Sequence, residues 1–593
     1  MLQGIGVSRG CGIGRALVAA ARAVEFTPRD GCDPALERAR LAQAEAAFTA
    51  HNKRLAAQVR QELGQQESEI LLGHVMMLQD PSLQGQIDQE LEAGHCAEQA
   101  LATVCDRYIA LFSSVDDAMT QQRAADIRDI KEEILSHLTG TARLDLRHLP
   151  PETGLGTREL TPSLAAQLDR RHVTGIITEL GGETSHGAIL ARAMDLPAVL
   201  GVPDAMQQLA NAPWVIVDGD LGHVLPDPPE ATLAQYRAAQ ARDAAAQAAR
   251  EAFRGRATTL ADGGTVRLFG NITSPDQAKL VCDNDGEGVG LFRTEFLFLD
   301  RQTPPDEQMQ LAAYRQVLQQ MAGKPVIIRT LDIGGDKEAP CLAREKEENP
   351  FLGFRGIRYC LRRQDLFKTQ LRALARASAD GPLSILLPMV TGVEEVRAAR
   401  ALLRGVLEEL EADGIACDQS LRLGVMIETP AAALTADLLA QEADFFSIGT
   451  NDLTGYTMAA DRGNANVAYL YTPLSPAVLR AIRGSIAAAK AAGIPAGMCG
   501  EAAADPRLIP LLLSFGLEEF SVSPNAVLET RRQIARWSKA DADAIAAEVM
   551  AQETTQDVQA ALGRSHRERH RRRRSRERHS EVPRDTEELR ICW

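Results

Sequence analysis

Between about residue 260 and residue 525 the chain repeats one pattern eight times: a short apolar run ends in polar or charged residues, and a helical stretch follows. The runs are Val266–Asn271, Gly288–Glu295, Val326–Asp332, Ile385–Met389, Leu423–Glu428, Phe445–Asp452, Ile494–Glu501 and Glu519–Ser523. Helical sequence such as Val393–Glu409 and Pro476–Ala492 fills most of the gaps. Eight successive βα repeats predict a closed (β/α)8, or TIM, barrel over 259–550, whose chemistry belongs at the C-terminal strand ends.

The first third has another rhythm. Residues 1–21 carry Gly4, Gly6, Gly10, Gly12 and Gly14. They read as tight turns between short strands, because no βα unit surrounds them as a dinucleotide loop requires. From about 30 to 140 apolar positions recur at helix spacing, as in Leu71, Val75 and Leu78, with breaks at Pro81 and Gly140. Apolar runs return at Val173–Ile177, Ala198–Val202 and Trp214–Val217. The expected arrangement is one α/β unit made of 1–21 and 145–228, with a helical bundle, 22–144, inserted into it. Residues 229–258 hold a stretch free of Gly and Pro between Pro229 and Gly255, expected as a long connecting helix.

Composition excludes several classes. The formal charge is −15, from 80 acidic against 65 basic residues, which disfavours nucleic-acid binding. One stretch reverses the sign: Arg564–Arg578 holds nine Arg and two Glu, +7 with His neutral, leaving −15 − 7 = −22 elsewhere. The segment 551–593 is expected to be a basic, solvated, disordered tail. Ten cysteines without a Cys-x-x-Cys pair argue against a disulfide scaffold or a zinc ribbon. With no leader pattern at Met1 and no apolar run approaching a membrane span, a cytoplasmic location without direct membrane contact is expected.

The barrel's strand ends carry Arg293 and Glu295, Arg329 and Asp332, Glu428, Asn451 and Asp452, and Cys499 with Glu501; Lys337, Arg355 and Arg462 follow in loops. Guanidinium forks bind phosphate and carboxylate in pairs of hydrogen bonds, so this cluster suits a small doubly anionic substrate. Glu428 and Asp452, on successive strands, could share a hard cation such as Mg²⁺ through oxygen. Cys499, in Gly497-Met498-Cys499-Gly500-Glu501, could exchange a proton next to a reacting carbon.

No histidine lies between 224 and 565. Imidazole chemistry must therefore come from the first third or the tail. The segment Gly181-Gly182-Glu183-Thr184-Ser185-His186-Gly187-Ala188-Ile189-Leu190-Ala191-Arg192 follows an apolar strand and opens a helix. A helix start favours an anion, and a histidine presented there could accept a phosphoryl group and hand it on. From this loop alone a helix-capping Thr-Ser with an incidental histidine is the favoured reading.

Taken together, Gly181–Gly201, Gly288–Asp300, Arg329–Lys337, Glu348–Arg358, Ile427–Pro430, Asp444–Asn464 and Gly497–Glu501 closely resemble the Enzyme I family of the bacterial phosphoenolpyruvate-dependent sugar phosphotransferase system. The resemblance extends to Leu72–Asp80 and Arg123–Asp129 in the bundle. It implies a multidomain α/β protein with a swivelling phosphohistidine domain, an inserted bundle that docks the phosphocarrier HPr, a linker helix and a barrel that binds phosphoenolpyruvate and mediates a homodimer. By the same resemblance His186 is the phosphorylated residue. Arg293, Arg329, Asn451 and Arg462 bind phosphoenolpyruvate, joined by Asp452, Arg355 and Lys337; Glu428 and Asp452 hold Mg²⁺, and Cys499 donates a proton. Glu183, Gly187-Ala188 and Gly455 depart from residues more usual in the family. A related dikinase would need a large ATP-binding domain where this chain has about 120 helical residues.

Overall fold

The computed structural model describes residues 1–19, 24, 26–62, 65–114, 118–141, 146, 149–165, 167–183, 185–299, 301–334, 339–342, 347–461 and 463–564. The chain divides into two compact units, Met1–Ala245 and Ala246–Trp593.

In the first unit, eight strands form one sheet. They are β1 (Leu2–Gln3), β2 (Ile5–Ser8), β3 (Cys11–Ala19), β4 (Thr153–Thr157), β5 (Val173–Thr178), β6 (Ala198–Leu200), β7 (Val215–Asp218) and β8 (His223–Pro226), in the spatial order β1-β8-β7-β3-β4-β5-β6-β2. β3 is the joint. Its first half pairs antiparallel with β7 and its second half parallel with β4. This corrects the reading of the N-terminal glycines as turn residues. Gly10, at φ 100°, does turn, but Gly12 and Gly14 lie inside β3. A Cβ on Gly12 would stand 1.9 Å from the Thr174 carbonyl oxygen, so these glycines permit close backbone approach.

Between β3 and β4 run five helices among the described residues: Pro34–Glu62, Gln65–Leu78, Pro81–Glu92, Ala97–Ser113 and Ala118–Thr139. Pro81 opens the third at its first helical position, where it needs no amide hydrogen, and the Asp80 carboxylate accepts from the Ser82 and Leu83 amides. Leu41, Phe48, Leu78, Ile87, Leu101 and Ile134 fill the bundle core. The helix Glu230–Glu251, within which the division between units falls, is anchored to the first unit at its start. Leu233 packs with Ile13 and Ile216, Tyr236 donates to Asp218 Oδ2 (2.9 Å), and Gln240 donates to the Cys11 carbonyl (2.7 Å).

The second unit holds a closed, all-parallel barrel of β9 (Arg267–Ile272), β10 (Val289–Phe292), β11 (Val326–Arg329), β12 (Leu383–Leu387), β13 (Arg422–Ile427), β14 (Phe446–Ile448), β15 (Ala496–Met498) and β16 (Glu519–Val522), with β16 pairing back to β9. All eight expected strands are present in order, and most stop earlier at their C-terminal ends. Pairing ceases where the apolar run ends, and the polar residues beyond it enter turns or helices; Asn451 and Asp452 sit in the first turn of the helix Thr450–Met458. Leu291, Ile327, Leu386, Met426, Phe445 and Cys499 make one buried cluster inside the barrel. The segment expected to begin a tail at 551 is helical over 555–564, and Val558, Ala561 and Leu562 are buried in the barrel's outer core. The Arg-rich run beyond Arg564 lies outside the described residues. No helix among the described residues is long and apolar enough to cross a membrane.

At the N-terminal end of the barrel Glu519 is buried beside Gly497 and Gly290, where Cβ atoms would come within 3.0 Å and 3.1 Å of its Oε1. Burial pushes its carboxyl up to about 7, against the pull of Arg267 and Arg422. A raised carboxyl pKa adds stability that is complete below pH 4.5 and is lost as pH rises through 7. The barrel should therefore lose up to roughly 3 kcal/mol between pH 4.5 and 8.5 through this group. Glu519→Gln should flatten that part of the pH profile of denaturant unfolding, and an unchanged slope contradicts the assignment.

Candidate active site

The mouth of the barrel is organised around a buried carboxylate. Asp332 follows β11 by three residues and is almost fully enclosed. Arg355 grips it with two parallel bonds, Nε to Oδ1 at 2.9 Å and Nη2 to Oδ2 at 2.8 Å. Arg329, the last residue of β11, places Nη1 2.9 Å from the same Oδ2. Burial works to raise the Asp332 carboxyl, but Arg329, Arg355 and Arg293 hold it below the usual range. The second branch of the Arg329 fork, Nη2, donates to Glu295 Oε1 at 2.7 Å. Its Nε is buried with no acceptor among the described residues.

Glu428 is the first residue after β13 and is 2 % exposed. Its Oε1 accepts from the Met389 amide at 2.6 Å, an amide aimed there by Met389's left-handed backbone, φ 60°. Beside its Oε2 stands Gly449, where a Cβ would intrude to 2.9 Å. Burial first, then the charges of Asp452 and Asp332, push the Glu428 carboxyl up to about 8. Oxygen atoms of Asp332, Glu428 and Asp452 all lie within 4.8 Å of one another. Both oxygens of Asp332 are taken by guanidiniums, which leaves Glu428 and Asp452 as donors for a cation. An all-oxygen pair whose proximity raises one pKa fits a hard divalent ion.

Other expected residues fall around this centre. Asp452 Oδ2 is 3.4 Å from Arg355 Nη2. Asn451 exchanges side-chain bonds with Glu501, donating to its Oε1 at 3.1 Å and accepting from its amide at 3.3 Å. Arg293, just after β10, is exposed and has no ion-pair partner among the described residues. Cys499, just after β15, belongs to the apolar cluster that includes Met426, whose sulfur lies 3.9 Å from Arg329 Nη1. Burial pushes the thiol up to about 11, so it keeps its proton at neutral pH. Lys337 and Arg462 lie outside the described residues. Sequence reasoning did not single out Met389, whose contribution is a backbone amide, or Tyr456. The latter's hydroxyl accepts from Arg355 Nη1 at 3.3 Å, and its place four residues after Asp452 was the available signal.

His186 belongs to the first unit. It opens the helix His186–Met194 behind Ser185, whose hydroxyl accepts from the Ala188 amide at 3.3 Å and donates to the Gly182 carbonyl at 2.8 Å. Gly187 packs directly on Leu160, where an added Cβ would come to 3.3 Å from both the Leu160 carbonyl oxygen and its Cβ.

Among the described residues of the mouth, Arg293, Arg329 and Arg355 meet Glu295, Asp332, Glu428, Asp452 and Glu501. Among these described residues acids outnumber arginines, and two of the guanidiniums are already committed to them. Removing the central carboxylate takes from two buried guanidiniums the acceptor they share, leaving Arg329 with Glu295 and Arg355 with Asp452 as their remaining carboxylates. Asp332→Asn should cost about 3 kcal/mol, read as a lowered midpoint of the barrel's guanidinium chloride transition. An unchanged midpoint would remove Asp332 from the centre of the network.

Comparison with known proteins agrees with the architecture. Three family descriptions match in order: PEP-utilising enzyme, N-terminal (residues 3–123), PEP-utilising enzyme, mobile domain (150–222), and PEP-utilising enzyme, PEP-binding domain (247–539). The chain is 43 % identical over 558 residues to the phosphoenolpyruvate-protein phosphotransferase of Priestia megaterium, covering 94 % of this chain and 97 % of that one. It is 43 % identical over 565 residues to the Geobacillus stearothermophilus protein of that name (95 % and 98 % covered). To the one from Bacillus subtilis (strain 168) it is 41 % identical over 560 residues (94 % and 98 %). With such identity along nearly the whole of both chains, and three family descriptions matched in order, this chain belongs to the phosphoenolpyruvate-protein phosphotransferases, the Enzyme I family of transferases.

Proposed function

We propose that the chain moves the phosphoryl group of phosphoenolpyruvate onto its own His186 and then onto the histidine of the phosphocarrier HPr. Pyruvate is released, and the transfer is the first step of sugar phosphotransferase uptake in the cytoplasm. The observation that carries this reading is the barrel mouth, where guanidiniums oriented by a buried carboxylate stand beside the carboxyl groups of Glu428 and Asp452 and a protonated thiol. Arg293 and the unpartnered Nε of Arg329 have donors to spare for phosphate and carboxylate oxygens; by the resemblance Asn451, Arg355, Lys337 and Arg462 would join them. Glu428 and Asp452 would hold Mg²⁺, which when bound supplies the positive charge that the acid-rich mouth lacks for a phosphate.

An imidazole nitrogen of His186 attacks phosphorus in line, forming the N–P bond as the bond from phosphorus to the enol oxygen breaks. The oriented arginines spread the charge of the loose transition state. The electron pair leaves on the enolate oxygen. As the enolate becomes a ketone, its methylene carbon takes the proton of the Cys499 thiol, and pyruvate is complete. A thiol raised to about 11 by burial holds that proton until a strong carbon base appears, and solvent then restores it.

The bundle supplies the HPr surface in this reading. Leu72 and Met76, one turn apart on Gln65–Leu78, are 39 % and 73 % exposed, an apolar pair suited to a partner's contact. A homodimer through the barrel is part of the same proposal, supported by exposed Leu434, Leu438 and Tyr469. Sedimentation velocity that returns only a monomer at tens of micromolar counts against it.

Incubation of the purified chain with ³²P-phosphoenolpyruvate and Mg²⁺ should place an acid-labile label on His186 that chases to added HPr. His186→Gln should take no label. Met76→Asp should label normally and chase to HPr at least about tenfold more slowly, as loss of an interface anchor requires. An unlabelled wild-type chain overturns the proposal.

A further inference from the structure

The helix Thr450–Met458 carries two residues that face Arg355 from successive turns. Asp452 meets Nη2 at 3.4 Å, and Tyr456, four residues on, meets Nη1 at 3.3 Å. Asp332 takes Nε and the other face of Nη2. Every nitrogen of this guanidinium thus has an acceptor in place, and Tyr456 is the described acceptor for Nη1. The phenol is not a passive end. It also donates to the Phe351 carbonyl, in the loop 347–354 that precedes Arg355. That loop is held independently elsewhere: Glu347 accepts from the Phe354 amide at 2.9 Å and 3.1 Å, and Arg358 Nη1 donates to the Leu352 and Gly353 carbonyls at 3.0 Å and 3.2 Å.

We propose that Tyr456 is a positioning residue for the phosphoryl transfer. Its hydroxyl, donating to Phe351 and accepting from Arg355, sets the plane of the Arg355 guanidinium between Asp332 and Asp452. The inference rests on the reaction proposed above and adds to it a residue that acts only through Arg355. The donation to Phe351 consumes the phenolic hydrogen, so the oxygen presents lone pairs to Nη1, and the direction of both bonds is fixed. Burial keeps the phenol protonated, pushed up to about 12, and the nearby charges of Asp452, Glu428 and Asp332 add to this against the pull of Arg355. The two-bond arrangement therefore persists through the neutral range. Without the hydroxyl, Nη1 has no acceptor among the described residues. The guanidinium can then tilt about its Asp332 contact, which changes how it meets Asp452 and any anion above it. Misorientation of a preorganised charge is felt more in the transition state than in substrate binding.

The test is single-turnover labelling of His186 in the full chain, with phosphoenolpyruvate and Mg²⁺ varied, for wild type, Tyr456→Phe and Arg358→Ala. Tyr456→Phe should label about tenfold more slowly, with the half-saturating phosphoenolpyruvate concentration within twofold of wild type and an unchanged thermal unfolding midpoint. Arg358→Ala, which loosens the loop without touching Arg355, should label at the wild-type rate. Equal rates for Tyr456→Phe and wild type overturn the inference. So does an Arg358→Ala rate as slow as that of Tyr456→Phe, because the phenol would then act through the loop. Should the wild-type chain itself take no label, the proposed reaction fails, and that outcome is distinct from both.

Discussion

The barrel mouth depends on one carboxylate placed where no carboxylate would sit alone. Asp332 is buried away from solvent, and its charge is tolerable there because two guanidiniums surround it. The dependence runs the other way as well. Arg329 and Arg355 are themselves buried, and the carboxylates of Asp332 and Glu295 are what make their charges affordable there. A buried network of this kind contributes little net stability. What it supplies is direction: each guanidinium is held in one plane by the acids around it.

That commitment changes the electrostatic picture. A chain with net charge −15 must collect positive potential locally if it is to hold a doubly charged anion. Among the described residues of this mouth, two of the three arginines are already committed to neighbouring acids. In the proposed reaction Glu428 and Asp452 would answer this need by holding a cation. Their mutual repulsion, with burial, is what lifts the Glu428 carboxyl, and a divalent ion would relieve the same strain. On that proposal anion recognition would be layered, with carboxylates beneath, cations over them and the substrate's charge outermost.

How much of this could be read beforehand follows from the range of the forces. The barrel was legible because eight apolar runs ending in polar residues are a local pattern, and their closure needs only the ordinary handedness of βα units. Residues at strand ends were legible for the same reason, and Arg329, Arg355, Glu428 and Asp452 do meet. Partnerships were not legible. Nothing in the spacing says that Asp332 occupies both arginines, or that Met389 turns left-handed to aim its amide at Glu428. Gly12 and Gly14 were misread as turn residues because a glycine needed for close strand crossing looks the same in sequence as one needed for a turn. The helix over 555–564 was assigned to a basic tail because charge past Arg564 masked Val558, Ala561 and Leu562 just before it, which belong to the barrel core.

The residue after His186 offers a last point. Gly187 packs on Leu160, where an added Cβ would press on the Leu160 carbonyl oxygen and Cβ at 3.3 Å, and its helix begins at His186 itself. A side chain introduced at 187 therefore fits only if residue 160, on a different segment, gives way. A histidine loop grafted from a relative with a larger residue there carries its own demand on the floor beneath it.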